Sequence, residues 1–246
     1  MNDLFIREVY CDLNEIDEDE FYHDIDTISN LKHLTFKKNI TFFVGENQSG
    51  KSTLLEAIAL AYGFNPEGGT INYNFQTFDE VSSLSNALKL IKGIHRPHIS
   101  YFFRAETFFN VASKTEDYRD LIEEDYYRYY GGKSFHKQSH GESFYNYITA
   151  FKDRGLYILD EPEAALSPQR QLSLLLYLHQ MAQRGSQFII ATHSPILLGL
   201  PDCEILSFDD GIIHPIKYEN CECVKVYDLF INHKDQLLFQ LLDKEE

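Results

Sequence analysis

The chain has 246 residues, and its hydrophobic content of 43% is that of a folded protein, which excludes a disordered one. This length fits one large domain or two small ones. The net charge of −16 excludes a protein that coats nucleic acid over its whole surface, because such a protein needs clustered lysine and arginine. The excess of negative charge lies at the two ends of the chain: residues 1–35 carry a net charge of −8 and residues 201–246 one of −7, whereas residues 36–200 carry −1.

The hydrophobic pattern predicts strands that alternate with helices through the centre of the chain. Strands are expected at Leu4–Leu13, Leu31–Phe36, Asn39–Val44, Thr70–Phe78, Ile99–Arg104, Leu156–Leu159, Gln187–Ala191, and at Ile205–Phe208 and Ile212–Ile216 as a hairpin. Helices are expected at Thr53–Tyr62, Leu84–Ile91, Ser139–Lys152, Pro168–Arg184 and from Pro195–Leu198 onward. Such alternation indicates an α/β fold with a mainly parallel central sheet flanked by helices, to which an antiparallel β subdomain is added.

One domain is predicted to span residues 1–246. Its parts are a β-rich N-terminal part (about 1–44 and 70–105), a short helical region (about 113–152), a strand-and-helix part (156–200) and an acidic C-terminal extension (201–246). The chain has four cysteines, no apolar run of about 18 residues and no signal-peptide pattern at Met1–Leu4. These features predict a cytoplasmic location without a membrane span.

Residues 45–52 fit the phosphate-binding motif G-x-x-x-x-G-K-[ST] in full, and they follow an apolar strand and precede a helix, as the motif requires. The glycines let backbone N–H groups face phosphate oxygens, and the N-terminus of the following helix adds a partial positive charge. Lys51 is predicted to bridge the β- and γ-phosphates, and Ser52 is predicted to ligate Mg²⁺. The other expected nucleotide contacts are Gly45, Asn47, Ser49, Gly50 and Thr53.

Two later apolar strands end in side chains that suit nucleotide chemistry. Asp160 is placed to hold Mg²⁺, and Glu161 is placed to polarise an attacking water as a general base. His193 ends the next strand, at the edge where ligands bind in parallel sheets, and is predicted to hydrogen-bond a γ-phosphate. The structural alternatives are an ordinary surface turn at Asp160–Glu161 and, at Ser194–Pro195, the N-cap and first residue of a helix.

The order of these motifs resembles that of the ATP-binding-cassette (ABC) ATPases. The similarity is to the soluble branch with SMC- and RecF-like proteins and small single-domain predicted AAA/ABC ATPases. In that family's terms, the Walker A motif lies at 45–52, the Walker B motif at 156–161, and the switch histidine at 193. The resemblance implies a P-loop NTPase fold. In place of the family's usual glycine in Walker A, this chain has Gln48.

A signature loop and a Q-loop are implied by the same resemblance. Ser139, Gly141 and Glu142 resemble the signature, which in the family binds the γ-phosphate held by the other subunit, although the usual sequence is Ser-Gly-Gly-Gln. Ser139 and Glu142 also have the spacing of a helix capping box. The Q-loop candidates are Glu106, which follows the strand Ile99–Arg104, and Gln76.

The resemblance implies hydrolysis of ATP with Mg²⁺ by a homodimer that forms with ATP and acts on or with a separate effector or nucleic-acid-processing partner. A P-loop kinase that phosphorylates a small acceptor is the alternative, which the hydrolase-like set of Asp160, Glu161 and His193 disfavours. DNA is a further candidate partner, through a basic and aromatic patch formed by Arg128, Lys133, His136 and Lys137 with Tyr126–Tyr130 and Phe135. The alternative, which is favoured, is a solvated loop with tyrosines packed beneath it.

Overall fold

A computed structural model of the chain describes residues 3–17, 19–70, 82–106 and 140–242. The strands are β1 (Ile6–Cys11), β2 (His33–Thr35), β3 (Ile40–Val44), β4 (Gly69–Thr70), β5 (Leu88–Lys92), β6 (Ile99–Arg104), β7 (Gly155–Asp160), β8 (Gln187–Ala191), β9 (Glu204–Ser207) and β10 (His214–Pro215). The α-helices are α1 (Asp26–Ser29), α2 (Lys51–Tyr62), α3 (Ser83–Ala87), α4 (His140–Ile148), α5 (Pro168–Gln183), α6 (Pro195–Leu198) and α7 (Glu222–Leu242). Gln76, Ser139 and the basic and aromatic patch lie outside the described residues.

Within the described residues, the central sheet has seven strands in the order β10-β9-β3-β8-β7-β6-β4. The five inner strands, from β9 to β6, run parallel, and the edge strands β10 and β4 are antiparallel to their neighbours. The inner strands β3, β7 and β8 are buried along their whole length, because both faces of the sheet are covered. The predicted α/β class with a mainly parallel sheet is confirmed.

Neighbouring residues of each inner strand face opposite sides of the sheet. Phe43 packs in a core with Leu54 and Leu55 of α2, whereas Phe42 packs in a second core with Leu174 of α5. Helix α4 also packs in the second core. The five side chains named above are all fully buried. The continuous apolar runs of the strands therefore reflect burial between two layers of helices.

A three-stranded antiparallel sheet, β2-β1-β5, packs on the α2 side of the central sheet in the described part of the chain. Gln187 joins the two sheets: its Oε1 accepts hydrogen bonds from the N–H groups of Phe5 and Ile6, and its Nε2 donates to the carbonyl of Ile6, each at 2.8 Å. This sheet confirms the predicted antiparallel β subdomain.

The predicted helix over Leu84–Ile91 is wrong in its second half. The helix ends at Ala87, and Leu88–Lys92 forms β5, which pairs with β1. The apolar residues of this segment fit both a helical and an alternating spacing. Pairing with β1 and packing of Leu88 and Leu90 against the core stabilise the strand over the helix.

The long helix α7 is not predicted by the hydrophobic pattern of the sequence. Val224, Tyr227 and Ile231 share one face of the helix, whereas Leu229, which is 45% exposed, lies on the opposite side from Tyr227. No α7 residue is fully buried, and this spread of apolar residues weakens the single apolar stripe by which a helix is recognised in a sequence. None of the helices in the described ranges is long and apolar enough to span a membrane.

Candidate functional site

The loop between β3 and α2 has the backbone conformation that a phosphate-binding loop needs. Gly50 has a φ of 94°, and a Cβ atom there would lie 2.7 Å from Oγ1 of Thr27, so only glycine fits. The hydroxyl of Thr27 donates to the carbonyl of Ser49 and fastens the loop to α1. Gln48 also has a left-handed φ of 67°, which costs about 1–2 kcal/mol for a residue other than glycine. The loop therefore keeps this conformation although a glutamine replaces the usual glycine.

Lys51 lies across this loop. Its Nζ donates to the carbonyl of Gly45 at 2.8 Å and to the carbonyl of Glu46. Burial lowers the pKa of the Lys51 ammonium, and the charges of Asp209 and Glu161 oppose that shift. Lys51 thus holds a buried positive charge at the mouth of the loop, where phosphate oxygens would meet it.

The other predicted nucleotide contacts surround Lys51. Asn47 is exposed at the tip of the loop, and Ser49 Oγ accepts from Lys51 Nζ at 3.4 Å. Ser52 and Thr53 belong to the first turn of α2, where backbone N–H groups have no partner within the helix. These groups and the helix dipole suit an anion such as a nucleotide phosphate.

Ser52 and Asp160 meet across the end of the central sheet, although 108 residues separate them. The hydroxyl of Ser52 donates to Oδ1 of Asp160 at 2.8 Å. Burial raises the pKa of Asp160 to about 6, against the opposing effects of the Ser52 hydrogen bond and the Arg104 charge. A hydroxyl beside a carboxylate is a hard oxygen donor pair, and Mg²⁺ commonly takes one or two protein oxygens together with phosphate oxygens and water. The pair therefore fits Mg²⁺ bound with a nucleotide.

Glu161 follows Asp160 in a left-handed conformation, with a φ of 49°. Its N–H donates to the carbonyl of Ala191 at the end of β8, at 3.0 Å, and its side chain is exposed. The backbone is thus fixed to the neighbouring strand while the carboxylate remains in contact with solvent. A general base needs this contact with solvent, because it takes a proton from a water molecule.

His193 is held in place by a carboxylate that the sequence analysis missed. Oε1 of Glu163 accepts hydrogen bonds from Thr192 Oγ1 at 2.6 Å and from the His193 N–H at 2.7 Å. Burial, and then the charge of Lys51, lower the pKa of His193, which favours its neutral imidazole. Nε2 of His193 is buried and has no hydrogen-bond partner among the described residues. The next residue, Ser194, caps α6 through the N–H of Leu197, so the capping interpretation is also correct.

Asp209 is a second residue of the site that the sequence analysis missed. Its Oδ1 accepts from the N–H of Glu46 at 3.0 Å, and its Oδ2 accepts from the hydroxyl of Ser207 at 3.1 Å. Asp209 thereby ties the first turn of the phosphate loop to the end of β9. In the sequence this residue is only part of an Asp-Asp-Gly turn, and no local signal connects it to the loop.

Glu106, the Q-loop candidate within the described residues, follows β6. Its side chain is 82% exposed and lies 3.7 Å from Arg104, which also pairs with Glu56 at 3.1 Å. The N–H of Ala105 donates to the carbonyl of Asp160 at 3.2 Å, which places this segment beside the end of β7. Glu106 therefore lies at the same edge of the sheet as Asp160.

The described part of the signature lies at the start of α4, next to the segment that follows Glu163. A Cβ atom on Gly141 would lie 3.0 Å from the carbonyl oxygen of Ala165. Glu142 lies 3.9 Å from the guanidinium of Arg170 in the first turn of α5. The structure therefore brings the loop at 45–52 together with Asp160, Glu161 and His193, and it places Gly141 and Glu142 beside Ala165 and α5.

The parallel sheet, the phosphate loop after β3 and the buried aspartate at the end of β7 define a P-loop NTPase fold. The chain belongs to the AAA domain family, whose model matches residues 22–197. No curated protein matches the chain in sequence.

Among solved structures, the chain is similar to the SMC head domain from Thermotoga maritima, with a TM-score of 0.45, 14% identity and coverage of 87% of this chain and 100% of that one. It is also similar to MJ1267, an ATP-binding cassette of an ABC transporter in its ADP conformation, with a TM-score of 0.46, 16% identity and coverage of 81% of this chain and 91% of that one.

Proposed function

We propose that the protein binds ATP with Mg²⁺ and hydrolyses it to ADP and phosphate. The observation that carries this proposal is the hydrogen bond between Ser52 and Asp160, because it joins the phosphate loop to the end of β7 beside Glu161 and His193. In this arrangement, groups that bind phosphate, groups that suit Mg²⁺ and a general base meet at one edge of the sheet.

Each side chain has a distinct role in this proposal. Lys51 and the N–H groups at the start of α2 hold the phosphates, while Ser52 and Asp160 hold Mg²⁺, which when bound neutralises charge on the phosphate oxygens. Glu161 takes a proton from the attacking water. His193, held by Glu163, donates a hydrogen bond to the γ-phosphate through its neutral imidazole.

The proposed unit of function is a homodimer that forms with ATP and loosens after hydrolysis, and it works with a separate effector. Gly141 and Glu142 support this, because both pack beside Ala165 and α5 of their own chain, not on its phosphate loop. In the proposed dimer, each signature loop completes the site of the other copy. Residues 1–246 form a single domain in this scheme, and the shared core of both sheets with α2 supports it.

The hydrolytic role is tested with Glu161→Gln. Turnover of ATP should fall at least about 100-fold, because the general base is lost, while binding of a fluorescent ATP analogue is retained. Glu15→Gln is the matched control, since Glu15 is an exposed acid outside the phosphate loop. Unchanged turnover in Glu161→Gln would exclude Glu161 as the base.

The dimer is tested by sedimentation of Glu161→Gln with and without ATP and Mg²⁺. A doubled mass with ATP is expected, and a monomer under both conditions would refute the switch. Labelled γ-phosphate separates hydrolysis from the kinase alternative, because a kinase would transfer the label to an acceptor whereas an ATPase releases it as inorganic phosphate.

A further inference from the structure

A groove of about 1070 Å³ lies between α5, α6 and α7 and extends to the candidate site. Its walls are mainly apolar and are formed by Leu172, Leu175, Pro195, Ile196, Val224, Tyr227 and Ile231. Several of these side chains are exposed, Leu172 by 57% and Ile231 by 72%. Tyr218 closes one side and donates a hydrogen bond to the carbonyl of Pro195 at 3.2 Å.

Glu163 lines the groove and has a buried carboxylate. Its Oε1 accepts hydrogen bonds from Thr192 and the His193 N–H, and its Oε2 is buried without a hydrogen bond in the described part of the chain. Burial of the carboxylate disfavours its charged form and raises the pKa of Glu163. A cation held in the groove beside Glu163 would stabilise that charge.

The charged groups around the groove are mainly acidic. Glu219 and Asp228 line it, and the lysine that lines it, Lys225, lies 3.8 Å from Glu222. The whole region 201–246 carries −7. A second copy of this acidic surface would be repelled here, whereas a basic partner would be attracted.

We propose that this groove binds an amphipathic helix of a separate protein, which packs apolar side chains against α5 and α7 and places a lysine or arginine beside Glu163. Docking of a helix in an apolar groove with acidic flanks is a known mode of recognition. A long basic side chain fits because its aliphatic stem packs on apolar walls while its charged end reaches the carboxylate.

Occupation of the groove would act on the candidate site through Glu163. The same carboxylate holds His193, so a cation beside Glu163 keeps this side chain ionised and its two hydrogen bonds to the His193 segment intact. The expected consequence is a severalfold rise in ATP turnover. This consequence rests on the proposed function, whereas binding in the groove does not.

The probe for binding is a fluorescein-labelled 18-residue peptide of leucine and lysine at helical spacing, compared with a leucine and glutamate peptide of the same pattern. Fluorescence anisotropy without nucleotide should show salt-dependent binding of the leucine–lysine peptide alone. Ile231→Asp should weaken binding at least tenfold, and Glu163→Gln should weaken it about tenfold, because the amide keeps an acceptor for Thr192 and His193 but loses the charge. Ile94→Asp is the matched control, since Ile94 is 90% exposed and does not line the groove.

Three results would overturn the proposal: no binding of the leucine–lysine peptide, equal binding by wild type and Ile231→Asp, or equal binding of the glutamate peptide. A dimer present without nucleotide that Ile231→Asp converts to a monomer would also overturn it, because a second copy would then cover the groove. If the peptide binds as expected but no ATP is hydrolysed, the proposed function fails while the docking site stands.

Discussion

Replacement of Asp160 by asparagine should stabilise the protein while removing its Mg²⁺ site. Asparagine keeps an oxygen that accepts the Ser52 hydrogen bond, and it removes a charge from a position that is only 7% exposed. The unfavourable burial of that charge raises the pKa of Asp160 to about 6 from its ordinary value of 3.8.

The size of the effect follows from this pKa difference. A shift of about 2 units corresponds to about 3 kcal/mol, because one pKa unit is worth about 1.4 kcal/mol. The folded state binds a proton at Asp160 more tightly than the unfolded state, so the wild type loses free energy of unfolding as the pH rises from about 4 to about 6. Asp160→Asn does not show this loss because asparagine does not titrate. Its free energy of unfolding should exceed that of the wild type by about 3 kcal/mol at pH 8 and by about half as much at pH 5.

Urea unfolding followed by circular dichroism measures this difference, since the chain has no tryptophan for fluorescence. The exposed acid Asp17 provides the control, because Asp17→Asn should leave the free energy of unfolding within about 0.5 kcal/mol of wild type. Mg²⁺ should add to the stabilisation by an ATP analogue in the wild type and not in Asp160→Asn. A variant less stable than wild type at pH 8, or a gain that does not change with pH, would refute the reasoning.

Other substitutions test the packing around the site. Gln48→Gly should raise the free energy of unfolding by up to about 1 kcal/mol, because glycine adopts the left-handed φ of 67° without strain. Glu46→Gly is the control: Glu46 does not have a positive φ, so glycine there should lower the free energy of unfolding. Gln187→Leu should lower it by about 3 kcal/mol, because buried backbone groups of the first strand lose their partners. Gly155→Ala should lower it by about 2 kcal/mol, because the new Cβ would lie 2.5 Å from the carbonyl of Ile99.

Urea unfolding at pH 7 measures all of these changes. Equal effects of the Gln48 and Glu46 substitutions would show that the left-handed conformation of Gln48 is not strained. A loss below about 1 kcal/mol for Gln187→Leu or Gly155→Ala would contradict the buried contacts assigned to these residues.

Contiguous patterns in the sequence predict the inner strands and the phosphate loop. Ile99–Arg104 and Gln187–Ala191 have the predicted bounds, because a short apolar run that is buried on both faces is a local signal. A segment whose apolar residues fit both helical and alternating spacing does not reveal its secondary structure from local sequence alone, and β5 is an example. Apolar residues lie on opposite sides of the exposed helix α7, as Tyr227 and Leu229 do, so its periodic signal in the sequence is weakened.

The sequence by itself determined the class of the protein, because the residues of the phosphate loop at 45–52 are neighbours in the chain and follow a strand and precede a helix that local patterns also predict. Only the tertiary structure decided which residues support those motifs. Glu163 holds His193 across 30 positions, Asp209 holds the phosphate loop across 163, and Gln187 holds the first strand across 182. Such contacts form where separate strands end at the same edge or pack in the same core, and no spacing along the chain encodes that proximity.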